Sequence, residues 1–519
     1  MTWQFINRFA EGSSACLWHF FSSRGYLAAI VVILAGFHCW KRVSNWWWRR
    51  ARLIKFSLTL PGPRLLPIIG NALEFACKCE DTLERIVDIC LRYESPFRIW
   101  LGPKLFIVTT EPRDYEIILG SGKAAYKDTV YRVMEPFVGQ GLVSGSGAKH
   151  KAHRKIIMPM LNSKTLSTYL EHFDRHSRTC ADLLEKEVGK GEFDISSYMA
   201  HCTIDIMLET IMGSPGTTQK NDYEELVYWT ERIYEIIHTR MMKVWLQYDK
   251  VFFHTQLGED HNKGLNVIHS FVEDVIARKK KEHRSVERAR REPERPRVIL
   301  LEQLIAHVEK ANDMDDVELR DEIYTLFTAA QDTSCVISSF AFLMLAMHPE
   351  IQNKVRDEVN EVLGNEDIQE KHLQNLKYLE MVIRETIRLF PIAPLMVRQL
   401  KGDLKLESCT LPEGCSVVMV PFVTHRNPKY WREPEKFVPE RFLPENSKGR
   451  HQCANLSFSG GLRGCIGQKF AIMCLKTIIA NVVRRYRLSS TQRLESLPLK
   501  TDISIRSRNG YKLSLTKID

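Results

Sequence analysis

A glycine-rich segment near the C-terminus surrounds a single cysteine. It reads FSGGLRGCIG over residues 458–467, and the residues that follow, 468–484, have the period of a helix. Loop amides and a helix N-terminus both stabilise a thiolate, so this setting predicts a lowered pKa for the Cys465 thiol. Arg463 can bind a carboxylate through two hydrogen bonds, and Phe458 can shield the sulfur from water. Because no histidine base lies close by in the sequence, the pattern suits a metal ligand better than a nucleophile.

The spacing F-x-x-G-x-R-x-C-x-G resembles the haem-binding loop of the cytochrome P450 family. This resemblance implies that Cys465 is the axial thiolate ligand of a haem b iron and that Arg463 pairs with a haem propionate. It also assigns Phe458 and Gly467 to the cofactor-binding loop. A thiolate ligand favours cleavage of the O–O bond of bound dioxygen. The alternative is that Cys465 is a buried structural cysteine, which is our interpretation of the other cysteines.

Two further motifs contribute arginines. Glu385 and Arg388 are three residues apart on an amphipathic helical segment and can pair on one face. With Arg441 of the segment PERF they resemble the family's Glu-Arg-Arg cluster, whose implied role is structural. The segment PIAPLMVR (391–398) resembles the stretch after that helix, which makes Arg398 a second propionate partner. By the same resemblance, this segment lines the substrate cavity with Ile392, Ala393, Leu395 and Met396.

The segment AAQDT (329–333) resembles the oxygen-activating pattern A-G-x-D-T of the family. A threonine within a helix can bond to a carbonyl four residues earlier and loosen the helix there. Thr333 and Asp332 would then relay protons as catalytic residues. The alternative is that Thr333 only bonds its own backbone. Ala329 and Ala330 are assigned to the substrate cavity, and Ala330, where the family usually has glycine, narrows the space slightly.

The longer segment EIYTLFTAAQDTS (322–334) resembles the signature of the fatty-acid ω-hydroxylase branch (family 4), and the overall character is similar to insect members. Many members of that branch have a glutamate at the position of Ala329, and this glutamate can form an ester with the haem. An alanine cannot. The resemblance therefore implies non-covalently bound haem and a less rigid restriction of oxidation to the end of the substrate chain.

The segment HKAHR (150–154) aligns with the W-x-x-x-R motif of the family, with His150 in place of the tryptophan. Arg154 fits as a propionate contact, and His150 could still donate a hydrogen bond to a propionate. The family also implies docking of an acidic NADPH-cytochrome reductase, with cytochrome b5 as a second candidate partner. Complementary charge would speed this encounter. The basic residues predicted to form the docking surface, which could equally be a solvated face, are Lys149, Lys151, Arg154, Lys155 and Lys469.

The elements that carry these residues follow an apolar N-terminal run. Residues 26–40 are almost all apolar, and residues 41–55 then carry six basic side chains and no acidic one. An excess of Lys and Arg on one flank places that flank in the cytoplasm. We predict an uncleaved membrane anchor over residues 1–43 and a basic, aromatic and proline-rich linker over 44–70. The catalytic domain, 71–519, would then lie on the cytoplasmic face of the endoplasmic reticulum. The alternatives are a cleaved signal peptide and a buried core helix.

Composition limits the remaining possibilities. Hydrophobic residues make up 44% of the 519 residues and charged residues 26%, which excludes a disordered chain. The mean hydropathy of −0.23 excludes a polytopic membrane protein. The net charge of +10 is local, since residues 41–55 and 278–297 carry +6 each, and this argues against a nucleic-acid partner. Thirteen scattered cysteines in a long chain indicate a reduced, intracellular protein.

The periodicity predicts a mainly α domain with small β-sheets, and the resemblance implies that this is the cytochrome P450 fold. Long helices are predicted over 163–188 and 316–347, a hairpin over 97–110, and strands over 403–411 and 416–420. The resemblance implies a monooxygenase that uses O2 and NADPH-derived electrons on a lipophilic substrate held near membrane lipid. A reductase-independent haem-thiolate isomerase or dehydratase is one alternative, although Thr333 and Asp332 argue against it. A membrane-tethered haem-binding protein without turnover is another.

Overall fold

The first part of the chain is a single helix. The computed structural model describes residues 3–220, 223–289, 299–311 and 313–518, and the chain divides into two units, Met1–Leu60 and Pro61–Asp519. The first unit is helix α1 (Trp3–Ser57). Its large apolar side chains from Ile30 to Trp48 are exposed, which is consistent with a membrane anchor because water disfavours such a surface. The helix continues through residues 44–57, so the first part of the predicted linker is helical, and the helix-breaking prolines begin only at Pro61.

The second unit is predominantly helical, as predicted. Besides short 3-10 and π segments, its described residues form the helices α2 (Thr82–Arg92), α3 (Pro112–Gly120), α4 (Glu135–Val138), α5 (Gly147–Ile157), α6 (Ser163–Leu184), α7 (Ser196–Met207), α8 (Glu224–Met242), α9 (Asp249–Phe252), α10 (Gln256–Ala289), α11 (Leu300–Ala311), α12 (Asp316–Met347), α13 (Pro349–Leu363), α14 (Glu370–Asn375), α15 (Lys377–Leu389), α16 (Pro421–Thr424), α17 (Pro444–Ser447) and α18 (Gln468–Val483). The predicted helix over 316–347 is confirmed, and the one over 163–188 ends slightly earlier than predicted.

Short strands form small sheets within the same unit. They are β1 (Phe97–Leu101), β2 (Lys104–Thr109), β3 (Tyr126–Lys127), β4 (Phe193–Asp194), β5 (Met396–Gln399), β6 (Leu404–Lys405), β7 (Thr410–Leu411), β8 (Ser416–Met419), β9 (Tyr486–Ser489), β10 (Leu499–Asp502), β11 (Ser504–Ser507) and β12 (Lys512–Lys517). The largest sheet has the order β1-β2-β8-β5-β3, with β2 and β8 parallel and the other neighbours antiparallel. The others are β4-β12-β9 and the pairs β10-β11 and β6-β7.

The hairpin predicted over 97–110 is confirmed as β1 and β2. The single strand predicted over 403–411 is wrong. This segment folds back on itself as β6 and β7, with Leu404 opposite Leu411. The reason is a tight turn, in which the Leu406 amide donates to the Cys409 carbonyl at 2.8 Å, and such a turn cannot lie within an extended strand.

Helix α12 is the central element of the core. It packs against α7, α18 and α15, and most of its side chains are buried. Its N-terminus is fixed by a capping box in which Asp315 accepts from the Glu318 amide at 2.7 Å. Within the described residues it is also the one helix long and apolar enough to cross a membrane, but 83% of its most apolar window is buried, which indicates a core helix.

The second basic segment, 278–297, is described only in part. Residues 278–289 form the end of α10, where Lys279 contacts Glu302 at 3.1 Å and Lys280 contacts Asp316 at 2.6 Å. The positive charge of these residues is therefore partly neutralised by carboxylates of neighbouring elements. Residues 290–297 lie outside the described part of the chain.

Candidate functional site

The cysteine loop is held by its own backbone just before α18. The Cys465 amide donates to the Phe458 carbonyl at 2.9 Å, and the Gly464 amide donates to the Gly461 carbonyl at 3.2 Å. Gly461 has a φ of +61°, and a Cβ atom there would lie 2.0 Å from the Leu119 carbonyl oxygen. Any residue other than glycine would therefore displace this loop from α3. Cys465 itself is exposed.

The electrostatics of the thiol differ from the prediction. Although Cys465 is accessible to solvent, the surrounding protein atoms desolvate its thiol. This desolvation raises the pKa of Cys465 and outweighs the Gly467 amide and the Arg154 guanidinium, which lower it. The prediction that the loop alone lowers the pKa is therefore wrong, because desolvation of the charged form outweighs the amide and the nearby cation. A bound metal ion deprotonates a coordinating thiol outright, so the raised pKa does not argue against a ligand role.

Arg154 lies beside this loop. Its Nη1 donates to the Gly464 carbonyl at 2.7 Å, and its charge acts on the Cys465 thiol. Its guanidinium therefore supports the residue that precedes the cysteine. The propionate contact predicted for Arg154 is not tested by this geometry and stays a prediction.

Basic side chains converge on β3, β5 and the cysteine loop. We call Lys127, Arg398 and Arg463 the cationic cluster. Lys127 on β3 lies directly opposite Arg398 on β5, and Arg463 adds repulsion to both. Like charges opposite each other on neighbouring strands are unfavourable. Burial and the Arg398 charge lower the pKa of Arg463 to about 10.

No carboxylate of the described residues lies within 4 Å of the cationic cluster. Arg463 donates to the Leu142 and Gly145 carbonyls, and Arg398 donates to the Val397 carbonyl at 3.0 Å. The Arg463 Nε atom is buried without a partner. Such a group is costly to bury, so the cluster suits an anionic ligand.

His150 lies near the same cations and is buried. Burial, followed by the charges of Arg463, Arg154, Lys127 and Arg398, lowers the pKa of His150 to about 3. Its imidazole is therefore neutral at physiological pH, with one nitrogen able to donate a hydrogen bond. Sequence reasoning identified His150, Arg398 and Arg463 but missed Lys127, because a lysine on a two-residue strand belongs to no motif.

The middle of α12 presents small side chains on one flank. Ala329 is exposed and Ala330 half-buried, although the helix around them is buried. The Thr333 hydroxyl donates to the Ala329 carbonyl at 2.8 Å. The predicted back-bond is present, but α12 remains a continuous α-helix, so the bond does not interrupt it.

Asp332 does not share the surroundings of Thr333. It is buried at 6% exposure and forms an ion pair with Arg506 on β11. Burial raises the pKa of Asp332, and the Arg506 charge opposes this. Its carboxylate is therefore paired with a basic side chain, and the proton relay predicted for Asp332 is not tested by this geometry and stays a prediction. Successive residues of a helix lie about 100° apart, which explains the separation from Thr333.

Three side chains near the start of α12 hold the loop 138–145. The Asp321 carboxylate accepts from the Gln140 amide at 2.8 Å, and the Glu322 carboxylate accepts from the Leu142 amide at 3.1 Å. The Thr325 hydroxyl donates to the Val138 carbonyl at 3.0 Å. This loop also supplies the carbonyls that bind Arg463. The motif over 322–334 was noted in the sequence, but this positioning role was not predicted, because the contacts join residues about 180 positions apart.

Glu385, Arg388 and Arg441 do meet. Arg388 donates to both oxygens of Glu385, at 2.7 and 2.8 Å, and the Arg441 Nε donates to Glu385 at 3.2 Å. The remaining donors of Arg388 bind the carbonyls of His425, Pro434 and Lys436. All of these charges are buried and partnered.

The residues predicted to line a substrate cavity are distributed over two apolar clusters. Ile392, like Ala330 and Phe458, packs against the main core, and its carbonyl accepts from the Ile505 amide at 3.3 Å. Leu395 packs instead against a smaller cluster that includes Phe97. The assignment of these side chains to a substrate cavity stays a prediction.

The candidate docking residues differ among themselves. Lys151, Lys155 and Lys469 are exposed. Lys149 contacts Glu318 at 3.1 Å, and Arg154 is bound to the cysteine loop. Three of the five cations therefore remain accessible to an acidic partner.

Comparison with known proteins agrees with this geometry. The sequence model of the family "Cytochrome P450" matches residues 60–514. Cytochrome P450 4V2 of Mus musculus is 33% identical over 465 residues, which cover 88% of this chain and 89% of the relative. Cytochrome P450 4c3 of Drosophila melanogaster is 31% identical over 489 residues, with 91% of each chain covered. Cytochrome P450 4g1 of Drosophila melanogaster is 30% identical over 509 residues, again with 91% of each covered.

The family implies a haem whose iron is bound by a cysteine thiolate, together with a redox partner, O2 and a lipophilic substrate. The residues described above fit this cofactor. Cys465 supplies an exposed sulfur from a fixed loop, and the cationic cluster, with its unpartnered Arg463 Nε, suits the two carboxylates of a haem. Because the sequence match, the loop geometry and the buried cations agree, the chain belongs to the cytochrome P450 family and is a monooxygenase.

Proposed function

We propose that this monooxygenase inserts one oxygen atom of O2 into a fatty acid, a fatty-chain pheromone or hydrocarbon, or a foreign lipophile, by hydroxylation or epoxidation. Electrons would come from NADPH through a flavoprotein reductase. The observation that carries the proposal is the Cys465 loop, held by hydrogen bonds and by Arg154. The resemblance of residues 322–334 to the fatty-acid ω-hydroxylase branch supports the substrate class.

The cofactor would be haem b, bound non-covalently. Cys465 would bind the iron, and Arg398, Arg463 and Arg154 would contact the propionates within the loop that includes Phe458 and Gly467. The bound haem supplies the activation of O2. Ala329 offers no carboxylate for an ester bond to the haem, so the protein would hold this group by the thiolate, the cations and apolar packing alone.

The chain's own residues also suggest how protons reach the site. Thr333 has a hydroxyl that is anchored to the Ala329 carbonyl and can accept one further hydrogen bond. We assign Thr333 to hold a proton donor beside the reacting oxygen. Asp332 would act as a positioning residue, since its ion pair with Arg506 ties α12 to β11.

Membrane attachment would bring substrate and partner together. Helix α1 would anchor the protein in the endoplasmic reticulum membrane, with the second unit on the cytoplasmic side. The exposed ammonium groups of Lys151, Lys155 and Lys469 would attract an acidic NADPH-cytochrome reductase, and cytochrome b5 could use the same charges.

The first test is the carbon monoxide difference spectrum of the dithionite-reduced protein. We expect the strongly red-shifted Soret band of a ferrous thiolate complex in the wild type and its loss in Cys465→Ser. Cys453→Ser is the matched control, because Cys453 is half-buried and lies in the same region of the sequence, and it should keep the band. A histidine-like band in folded wild-type protein would contradict the ligand assignment.

The second test is turnover of fatty-chain substrates with reductase and NADPH. Oxygenated product that requires NADPH supports the proposal. Product formed without reductase would favour an isomerase or dehydratase. Haem-loaded protein that converts no lipid under either condition would favour a non-catalytic haem-binding protein.

A further inference from the structure

The face of α8 that points into the protein carries a carboxylate, Glu231. Two other side chains mark this face. The Tyr234 hydroxyl donates to the Thr328 carbonyl of α12 at 3.0 Å, and the His238 Nε2 lies 3.0 Å from the Thr501 hydroxyl of β10. Glu231 precedes Tyr234 by three residues and His238 by seven, and residues at this spacing share one side of a helix. The Glu231 side chain therefore faces α12 and the pair β10-β11.

Glu231 is nevertheless exposed, which indicates open space on this inner side of α8. The surrounding protein atoms desolvate its carboxyl and raise its pKa, while the charge of Arg506 opposes this shift and that of Asp332 adds to it. Among the described residues, no hydrogen bond or ion pair involves the Glu231 side chain. A desolvated carboxylate without a partner is costly, so this group suits a ligand that enters the open space.

The open space lies beside the part of α12 that is assigned to the reaction. The hydrogen bond from Tyr234 joins α8 to α12 at Thr328, the residue before Ala329. Glu231 lies only about 4.5 Å from Tyr234 along the axis of α8. Ala329 is also exposed, although most of α12 is buried. Both exposed side chains thus border the gap between these two helices.

The charges around this gap leave it negative. Arg506 is already paired with the buried Asp332, so these two charges cancel. Glu231 then adds a negative charge, and the next carboxylate that acts on it, Asp194, adds another. Surroundings with excess negative charge repel a carboxylate, whereas a carboxylate oxygen accepts a hydrogen bond from a hydroxyl group.

We propose that Glu231 determines substrate specificity by accepting a hydrogen bond from a hydroxyl group at the polar end of a fatty-chain substrate and by repelling a fatty-acid carboxylate. The favoured substrate class is therefore a fatty alcohol, and the disfavoured one is the fatty acid of the same chain length. Glu231 would contact the substrate without taking part in oxygen activation. This inference rests on the proposed function, because it selects among the fatty-chain substrates named there.

The test compares the binding of dodecanol and dodecanoate to the holoprotein. Dissociation constants are measured from the substrate-induced shift of the haem Soret band. Glu231→Gln removes the charge and keeps the size of the side chain, and Glu231→Asp keeps the charge. Glu235→Gln is the matched control, because Glu235 lies on the same helix, is exposed and pairs with Arg232 at 2.5 Å.

We expect the wild type to bind dodecanol more tightly than dodecanoate. Glu231→Gln should weaken dodecanol binding by about threefold, because a hydrogen bond to a charged group is replaced by one to a neutral amide. The same variant should strengthen dodecanoate binding by about tenfold, because a repulsive charge is lost. Glu231→Asp should keep the wild-type preference, and Glu235→Gln should behave as the wild type. Opposite changes for two ligands of equal chain length cannot arise from a general loss of structure.

Two results would overturn the inference. One is a change of both dissociation constants by the same factor in Glu231→Gln, and the other is tighter binding of dodecanoate than of dodecanol by the wild type. Either result leaves the proposed oxidation of fatty-chain substrates intact. A wild type that shows the thiolate spectrum but neither binds nor converts the two compounds would instead contradict the proposed fatty-chain substrates, and the inference would fall with them.

Discussion

Two groups of basic side chains in the interior of this protein differ in whether a carboxylate pairs with them. Around Glu385, two arginines share one carboxylate and their remaining donors bind backbone carbonyls. In the cationic cluster, Lys127, Arg398 and Arg463 face one another, and no carboxylate of the described residues pairs with them. A buried charge must be compensated, so the first group is complete within the chain and the second requires a ligand. Whether buried cations find partners within the chain thus distinguishes a structural cluster from a binding site.

The strongest test of this difference is removal of the shared carboxylate. Glu385→Gln would leave Arg388 and Arg441 buried without a counter-charge. We expect a loss of stability of about 3–5 kcal/mol, because breaking a buried pair leaves an uncompensated charge. The yield of folded protein and its thermal unfolding should both fall sharply. Wild-type stability in this variant would mean that the Glu385 cluster is not the structural one.

Removal of a cation from the cationic cluster should weaken haem binding without unfolding the protein. Arg398→Met relieves the repulsion of Lys127 across the strands, so the fold should be retained. Haem should dissociate at least about tenfold faster, because a charge-assisted bond is lost. Circular dichroism and haem transfer to apomyoglobin measure the two properties separately. If Arg398→Met unfolded the protein as well as releasing haem, the cationic cluster would be structural, like the Glu385 group, and the comparison would be contradicted.

Asp332 and Thr333 allow the same distinction to be made within one helix. Asp332→Asn would leave Arg506 partly buried without its partner, and we expect a loss of about 1–3 kcal/mol. Thr333→Ala loses one side-chain bond to the backbone but gains helix propensity, so stability should change by less than about 0.5 kcal/mol.

The two variants should also differ in turnover. The ratio of product formed to NADPH consumed is expected to fall in Thr333→Ala, whose hydroxyl is assigned to the reacting oxygen. In Asp332→Asn the main effect should be on thermal stability, and the ratio of product to NADPH should fall less than it does in Thr333→Ala. If Asp332→Asn instead lowered this ratio more than Thr333→Ala, the direct proton relay would be assigned to Asp332.

The sequence predicted elements with strong local signals. Helix α12 has the predicted bounds because its apolar run begins after the capping box of Asp315. The prediction of one strand over 403–411 was wrong because a tight turn at residues 406–409 divides the segment. This turn is closed by a backbone hydrogen bond, for which the sequence contains no strong signal. The spacing of Glu385 and Arg388 allowed them to pair on one helix face, but Arg441 could be added only because the segment PERF resembles part of the family's Glu-Arg-Arg cluster.

The electrostatic state of the site was not predictable in the same way. The loop alone predicts an acidic Cys465 thiol, but desolvation by the surrounding protein atoms, which only the fold determines, raises its pKa instead. Asp332 and Thr333 are adjacent in the motif, yet Arg506 from a distant strand engages only Asp332. Lys127 escaped notice because its partner Arg398 lies more than 270 residues away in the chain.

The smallest expected effect concerns acid sensitivity near the cationic cluster. The pKa of His150 is lowered to about 3 from its ordinary 6.5, by burial first and then by Arg463, Arg154, Lys127 and Arg398. Below pH 6.5 the unfolded chain therefore takes up a proton that the folded chain refuses until about pH 3. The neutral imidazole contributes stability above pH 6.5, and this contribution is lost as the pH falls through that window.

His150→Gln removes this titration and should make the protein more resistant to acid. In the holoprotein, bound haem carboxylates offset the surrounding cations and favour the charged imidazole, which returns the pKa of His150 towards its ordinary value. The midpoint of acid unfolding should therefore fall by less than about one pH unit. A larger fall would mean that the cations remain uncompensated when haem is bound. That result would contradict the view that haem carboxylates complete this cluster as Glu385 completes the other.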